Sequence, residues 1–202
     1  LQDNLTDDVI EKAISKWPSQ IQEMGGQSII ENLKIRRADM EKYAQELYMF
    51  LSKEVEILGS DKHEYFLIDQ LSENETLVTV SKRKKEGKLE QVIYERLYTS
   101  EETNEERLYG RDGEDVFEIK GNTSSNIKIR IIGGTDKDLI INGNGVERLK
   151  NEEVYDRKKS TKIKGNSKGT RHLSEEYSIN EYDRKAFKYD RLMIIVSAAL
   201  NQ

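Results

Sequence analysis

One stretch of the chain occurs twice at a constant offset, and this repeat limits the possible folds more than any other feature. Residues 107–117 align with residues 130–140, because both contain an arginine, an apolar pair, a glycine, and an acidic residue followed by two apolar residues. The offset from Gly110 to Gly133 is 23 residues. Glycine is needed where the backbone takes a positive φ or approaches another backbone closely. We therefore predict a strand, a tight turn and a second strand, used twice as two layers of one sheet.

The turns of this repeat, residues 110–119 and 133–142, contain the candidate site residues. The structural glycines are Gly110, Gly113, Gly133 and Gly134, and the acidic residues are Asp112, Asp115, Asp136 and Asp138. An acidic residue after such a turn can accept hydrogen bonds from the turn amides or bind a cation. The turns resemble the nonapeptide repeat of calcium-binding RTX proteins, although Arg111 replaces its second glycine and Asp136 its third. We predict purely structural turns, with calcium binding by the four aspartates as the alternative.

The composition indicates a globular protein and argues against several functional classes. Charged and apolar residues each make up 35% of the chain, and the formal net charge of -5 does not favour a nucleic-acid partner. The absence of cysteine excludes thiolate chemistry. His63 and His172 are the only histidines and are interpreted as structural, since no nucleophile elbow, phosphate loop or zinc-binding helix motif accompanies them. We therefore predict no catalytic residues and no enzymatic activity in this chain.

Apolar residues follow helical spacing over residues 1–58, which we predict to be a helical region. Thr6 precedes two aspartates and is expected to cap the first helix, because its side-chain oxygen can accept from a free amide of the first turn. The Gly25-Gly26 pair is expected to interrupt the helical region, and Ser28 to begin the next helix with capping-box spacing. Two shorter helices and one long helix, from about residue 39 to about residue 57, follow from this pattern.

The period changes to two after this region, which predicts a β-sheet domain over residues 59–150. Residues 63–68, 76–80 and 90–98 alternate as antiparallel strands do, with a charged turn before the last of them. The strands of the repeat come next. The expected fold class is α+β, with N-terminal helices followed by a mainly antiparallel β-sheet or sandwich with Gly/Asp turns.

The remaining residues are divided into a basic segment and a C-terminal segment. Residues 151–175 are predicted to be a flexible loop that is rich in lysine and arginine. A cationic loop of this kind could contact anionic lipid head groups through its lysines. The candidate lysines are Lys158, Lys159, Lys162 and Lys164. Residues 176–202 are predicted to form further strands, and both chain ends look like cuts within a longer protein.

Four sequence stretches resemble the middle region of large envelope proteins of Bacteroidetes-type bacteria. They are Trp-Pro-Ser-Gln-Ile at 17–21, Ile-Glu-Asn-Leu-Lys-Ile-Arg-Arg at 30–37, Gly-Ser-Asp-Lys-His-Glu at 59–64 and Phe-Lys-Tyr-Asp-Arg-Leu-Met at 187–193. In that family a calcineurin-like metallophosphoesterase domain precedes this region and a surface-antigen-type outer-membrane β-barrel follows it. The stretch at 187–193 resembles the entry into the first strand of that barrel, which implies that residues 176–202 lead into a truncated barrel. The resemblance implies a connector in the cell envelope, periplasmic or associated with the outer membrane, whose partners are the neighbouring domains. The catalytic motifs of the family have no counterpart in this chain.

Overall fold

A computed structural model describes residues 2–121, 123, 125–143, 151–165 and 169–182. The chain divides into two compact units, Leu1–Lys53 and Glu54–Gln202. Helices form the first unit and strands dominate the second, so the predicted α+β class with N-terminal helices is confirmed. The predicted boundary at residue 58 is wrong by one strand, because Glu54–Leu58 already pairs within the second unit.

The first α-helix is capped, as predicted, and follows a 3₁₀ turn at Gln2–Asn4. The Thr6 side chain accepts a hydrogen bond of 3.3 Å from the backbone N–H of Val9. The helices are α1 (Asp7–Ile14), α2 (Ser19–Ile21), α3 (Gln27–Ala38) and α4 (Met40–Ser52). A π-helical turn, Gln22–Gly26, joins α2 directly to α3. The glycine pair therefore does not interrupt the helix, and the predicted capping role of Ser28 is wrong, because Gly26 before α3 is itself helical.

The predicted long helix over residues 39–57 also ends early. It stops at Ser52, and the strand Glu54–Leu58 follows almost at once. Val55 and Ile57 alternate with glutamates, a period-two pattern that suits a strand with one buried face. Parallel pairing of this strand with residues 105–109 therefore stabilises residues 54–58 more than a longer α4 would.

Within the described ranges, the second unit contains eleven strands in two sheets. They are β1 (Glu54–Leu58), β2 (Glu64–Gln70), β3 (Glu75–Arg83), β4 (Leu89–Thr99), β5 (Glu105–Arg111), β6 (Val116–Gly121), β7 (Lys128–Gly134), β8 (Leu139–Asn142), β9 (Glu152–Asp156), β10 (Lys162–Lys164) and β11 (Thr170–Leu173). Sheet 1 has the order β1-β5-β7-β9-β11, and sheet 2 has the order β10-β8-β6-β2-β3-β4. Apart from the β3–β4 hairpin, the chain therefore alternates between the sheets, and one strand from each sheet makes one coil.

The 23-residue repeat is one such coil. Arg107 lies opposite Arg130 in sheet 1, and Phe117 lies opposite Ile140 in sheet 2, so the repeat detected in the sequence is confirmed as a structural register. The same spacing continues into the next coil, where Glu152 lies opposite Ile129. The coils stack in parallel as a two-sheet β-solenoid.

The predicted antiparallel arrangement applies to part of the sheet only. Strands β2, β3 and β4 pair antiparallel, close to the predicted ranges. All the other strand pairings in the described residues are parallel, so the expectation of a mainly antiparallel sheet is wrong. The expectation that the repeat forms two layers of one sheet is also wrong, because each Gly/Asp turn passes the chain from sheet 1 to sheet 2.

Stacked apolar columns from the two sheets form the core. Sheet 1 contributes Ile57, Leu108, Ile131 and Val154, and sheet 2 contributes Phe66, Phe117, Ile140 and Ile163. The rings of Phe66 and Phe117 stack with their centroids 4.6 Å apart. Burial of each large apolar side chain stabilises the fold by about 1.5–3 kcal/mol, so every added coil extends one continuous core.

The described residues of segment 151–175 do not form the flexible loop that its charge suggested. It contains β9, β10 and β11, which continue both sheets. The inward residues of β9 are buried, and this decides the conformation more than the surrounding lysines do. A short helix, α5 (Tyr177–Asn180), lies within the predicted C-terminal strands, and residues 183–202 of that prediction are outside the described ranges.

Candidate functional site: the stacked turns

The turns from sheet 1 to sheet 2 form a column of backbone-bound carboxylates. The backbone N–H of Glu64 donates to Oδ1 of Asp115 at 2.7 Å, and the N–H of Asp115 donates to Oδ1 of Asp138 at 2.9 Å. Glu64, Asp115 and Asp138 are equivalent positions of successive coils, and we call them the acidic column. Each aspartate therefore binds the turn of the preceding coil.

A second column of glycines lies beside the acidic column because no side chain fits there. A Cβ atom on Gly110 would lie 2.4 Å from the carbonyl oxygen of Gly133, and one on Gly133 would lie 2.5 Å from Oδ2 of Asp156. Neither glycine has a positive φ, so the requirement is close packing between coils. Gly110 and Gly133 were predicted as turn glycines, but they lie in strands β5 and β7, where the fold requires glycine for close packing between coils.

Gly113 and Gly134 have a different reason to be glycine. Their φ angles are 107° and 120°, which L side chains rarely adopt, and an added Cβ would collide with the backbone of the neighbouring coil. Arg111 is the register partner of Gly134 and has a φ of 75° despite its side chain. Its guanidinium forms an ion pair with Asp61 at 3.1 Å, on the outer side of the turns.

The four predicted calcium ligands fall into two separate pairs. Asp115 and Asp138 lie in the buried acidic column. Asp112 and Asp136 lie on the exposed outer side, where Asp112 accepts from the Thr135 hydroxyl at 2.5 Å and Asp136 accepts from the Gly113 amide at 2.9 Å. In the described ranges, no three histidine or acidic side chains are arranged so that they could share one metal ion.

Three buried aspartates in the described part of the chain have one carboxyl oxygen each without a hydrogen-bond partner. These oxygens are Oδ2 of Asp115, Asp138 and Asp156. Burial raises the pKa of Asp115 to about 9 and of Asp156 to about 6. Burial, and then the nearby Asp156, raises the pKa of Asp138 to about 7. A protonated carboxyl is cheaper to bury than a carboxylate, so the turns favour the neutral acids.

Sequence reasoning missed Glu64 and Asp156 as members of these columns. Asp156 follows Gly133 at the same 23-residue offset, so extending the repeat by one copy would have found it. Glu64 precedes Asp115 by 51 residues, because the β3–β4 hairpin is inserted into that coil. An insertion of this kind hides the first repeat from a search at constant offset.

Glu106 is a further buried acid, although it belongs to a glutamate-rich stretch with Glu101, Glu102 and Glu105. It points into the core in the same column as Val55 and Ile129, and both of its carboxyl oxygens are buried without a hydrogen-bond partner. Burial raises the pKa of Glu106 to about 8. A stretch with four glutamates is expected to be exposed to solvent. The register of β5 with β1 and β7 nevertheless places Glu106 in the core.

The two histidines and the basic residues occupy positions that the sequence did not specify. Nδ1 of His63 accepts a hydrogen bond of 2.9 Å from the backbone N–H of Glu114, and His172 stacks on Tyr155. Lys162 and Lys164 are exposed on strand β10 at the end of sheet 2. The other two candidate lysines, Lys158 and Lys159, are exposed in the turn before that strand.

A small polar pocket lies on the outer side of the same turns. Its volume is about 90 Å³, enough for a few water molecules. The lining residues are Arg111, Asp112, Thr135, Asn180, Glu181 and Tyr182. Acidic and basic groups occur together in it, so the pocket does not select one charge of ligand.

Comparison with protein-family models, curated protein sequences and solved structures finds no match to the chain. The helices in the described ranges are all too short or too polar to cross a membrane.

Proposed function

We propose that this chain is a non-catalytic structural module, a stack of parallel coils that connects neighbouring domains of a larger cell-envelope protein. The main support is the acidic column, in which each aspartate binds the backbone of the preceding coil. Side chains that are engaged with the backbone stabilise the stack and are not free to act on a substrate. The family resemblance supplies the envelope location and the connecting role.

The function of such a module depends on the length and stiffness of the stack. In a solenoid each coil contacts only its neighbours, so the coils are interchangeable units. Deleting residues 116–138 removes one 23-residue repeat and should leave a shorter protein with the same register. Far-UV circular dichroism and urea unfolding should then show a cooperative β-protein.

A matched deletion tests whether the fold tolerates the loss of a whole coil only, or the loss of any similar stretch of residues. Removing residues 116–127, about half a coil, would send the following strand to the wrong sheet. This variant should not fold. If both deletions fold, or if both fail, the chain is not a stack of interchangeable coils.

Lack of catalysis has its own test. The chain should hydrolyse p-nitrophenyl phosphate no faster than buffer, with manganese or magnesium present. Hydrolysis that disappears in Asp115→Asn or Asp138→Asn would refute the structural assignment. An accessory role for a linked phosphoesterase would appear instead as altered kinetics of the longer protein after removal of this module.

Calcium binding is the second candidate function, and the unpartnered Oδ2 atoms of Asp115 and Asp138 are the observation in its favour. Both atoms, however, pack against glycine positions of the column: Oδ2 of Asp138 lies 2.6 Å from where a Cβ of Gly133 would be. The space between the coils is thus occupied by backbone. The structural function accounts for this packing and the calcium function does not.

Contact of the basic segment with anionic lipid remains part of the proposal. Lys162 and Lys164 point outward from β10, while Ile163 between them packs against the core. Lysines on the last strand of a sheet also hinder pairing with other strands. Binding to vesicles that contain anionic lipid, lost in a Lys162→Ser/Lys164→Ser variant, would support the lipid contact.

A further inference from the structure

The helical unit Leu1–Lys53 leaves most of its large apolar side chains in solvent. Among its described residues the buried apolar side chains are Ile10 and Ile14, a very small core. The exposed fractions on α4 are 56% for Tyr43, 58% for Leu47, 65% for Phe50 and 61% for Leu51. Exposed apolar patches of this kind mark interaction surfaces.

These side chains form one stripe along α4. At 100° per residue, six apolar positions fall within an arc of about 120°. We call them the α4 stripe: Met40, Tyr43, Ala44, Leu47, Phe50 and Leu51. The charged residues Glu41, Lys42 and Glu46 of the same helix lie outside this arc. The helix therefore has an apolar face with a width typical of a helix that packs on a partner.

Four members of the stripe are placed symmetrically about Leu47, and this symmetry favours a second copy of α4 as the partner. Tyr43, Ala44, Phe50 and Leu51 lie three or four residues from Leu47 on either side, so an antiparallel copy of α4 places apolar rows against apolar rows. Met40 has no counterpart, because the position seven residues after Leu47 is Glu54 of β1. In that arrangement Tyr43 lies beside Phe50 of the second copy, and Ala44 lies beside Leu51. A small residue thus meets a large one, and the two aromatic residues pair.

Charges at the ends of the stripe favour the same arrangement, whereas one charge near its centre opposes it. The antiparallel pair brings Asp39 near Lys53 of the second copy, at both ends of the interface. The two Glu46 side chains face each other near the centre and oppose association. This repulsion between identical residues occurs only when the partner is a second copy of the chain, so a change at Glu46 tests the proposal.

We propose that α4 is a self-association surface, through which two copies of this chain pack as antiparallel helices around Leu47. The helix has 13 residues and is about 20 Å long. An interface this small is typical of weak complexes, so we expect dissociation in the micromolar range. The surface is independent of the solenoid and of the structural function proposed for it.

Sedimentation velocity of the whole chain, from about 5 to about 500 µM, should show a monomer that becomes a dimer. Leu47→Glu should weaken the dimer at least about tenfold, because it places like charges on the symmetry axis. Gln45→Glu, the same charge on the opposite face of α4, should leave it unchanged. Glu46→Gln should strengthen it about threefold. A monomer at every concentration, or equal effects of Leu47→Glu and Gln45→Glu, would overturn the proposal.

Cross-linking provides a second measurement that does not depend on the dimer surviving dilution. The chain contains no cysteine, so Leu47→Cys introduces a single thiol on the symmetry axis. Oxidation with copper phenanthroline should link two copies rapidly, while Gln45→Cys should remain mostly monomeric. Circular dichroism should be unchanged, since both sites are exposed. Equal cross-linking at the two positions would show that the helices do not pair through the stripe.

Discussion

The backbone N–H of Asp115 donates a 2.9 Å hydrogen bond to Oδ1 of Asp138, its equivalent one coil later. The contact joins two turns that are 23 residues apart, and the Glu64–Asp115 bond repeats it in the preceding coil. The other oxygen of each aspartate is buried without a partner. The carboxyl groups therefore hold the turns together, yet their charged forms are costly at this position.

The first prediction concerns pH. The pKa of Asp156 is raised to about 6, of Asp138 to about 7, of Glu106 to about 8 and of Asp115 to about 9, in each case chiefly by burial. A raised folded-state pKa contributes stability that is present below the unfolded value and is lost as pH rises through the folded value. The free energy of unfolding should therefore fall between pH 5 and pH 9, as measured by urea titration followed by circular dichroism.

The variant that isolates this effect is Asp138→Asn. Its amide oxygen can still accept from the Asp115 N–H, but the side chain no longer titrates. The decrease in stability between pH 5 and pH 7, below the raised pKa of Asp138, should become shallower. Asp112→Asn, on the exposed side of the turns, is the matched control and should leave the slope unchanged. A stability that rises with pH in the unmodified chain would contradict the prediction.

The second prediction concerns the glycine column. Gly133→Ala should destabilise the solenoid by about 3 kcal/mol, because its Cβ would collide with the carboxyl of Asp156 and the structure must shift. Gly87→Ala is the control, since Gly87 has a positive φ of 93° but nothing within 4 Å. Backbone strain alone should cost about 1 kcal/mol there. Urea unfolding would distinguish them, and equal losses would mean that packing between coils is unimportant.

The third prediction concerns calcium. The melting temperature should not change when about 5 mM calcium is added, because a ligand that binds only the folded state must raise its stability. The Asp112 and Asp136 side chains already bind Thr135 and Gly113 of neighbouring coils. Calorimetric titration gives an independent measure. Heat of binding that disappears in Asp136→Asn would instead establish the calcium function.

The fourth prediction concerns the outer face of sheet 1. Arg107 is 9% exposed and forms ion pairs with Glu54, at 2.5 Å, and with Glu105. Arg107→Met should destabilise the fold by about 1–3 kcal/mol, because the half-buried Glu105 loses a hydrogen-bonded partner. Lys84→Met removes an exposed pair with Glu90 and should change stability by less than about 0.5 kcal/mol. Similar losses in the two variants would show that burial of the Arg107 pair has no role.

Local pattern was sufficient to predict several elements. The Thr6 cap, the antiparallel strands β2, β3 and β4, and the 23-residue repeat each depend on residues that are close in sequence or on a constant offset. Gly110 and Gly133 were recognisable as structural glycines for the same reason, although they lie in strands β5 and β7 just before the turns. The sequence left the role of Asp115 and Asp138 open, since an aspartate after a turn can accept a hydrogen bond from a backbone amide or bind a cation.

By itself, the sequence determined the α+β class, the repeat and the residues of the paired turns, because helix caps, period-two alternation and glycine placement act locally. Only the tertiary structure decided that each turn passes to the opposite sheet, which makes the strands parallel and buries Glu64 and Asp156. It also decided that the basic segment 151–175 forms strands, since burial of Val154 and register with Ile131 depend on the coil before it. Register between distant strands fixes which side of a strand is buried, and single residues do not encode that information.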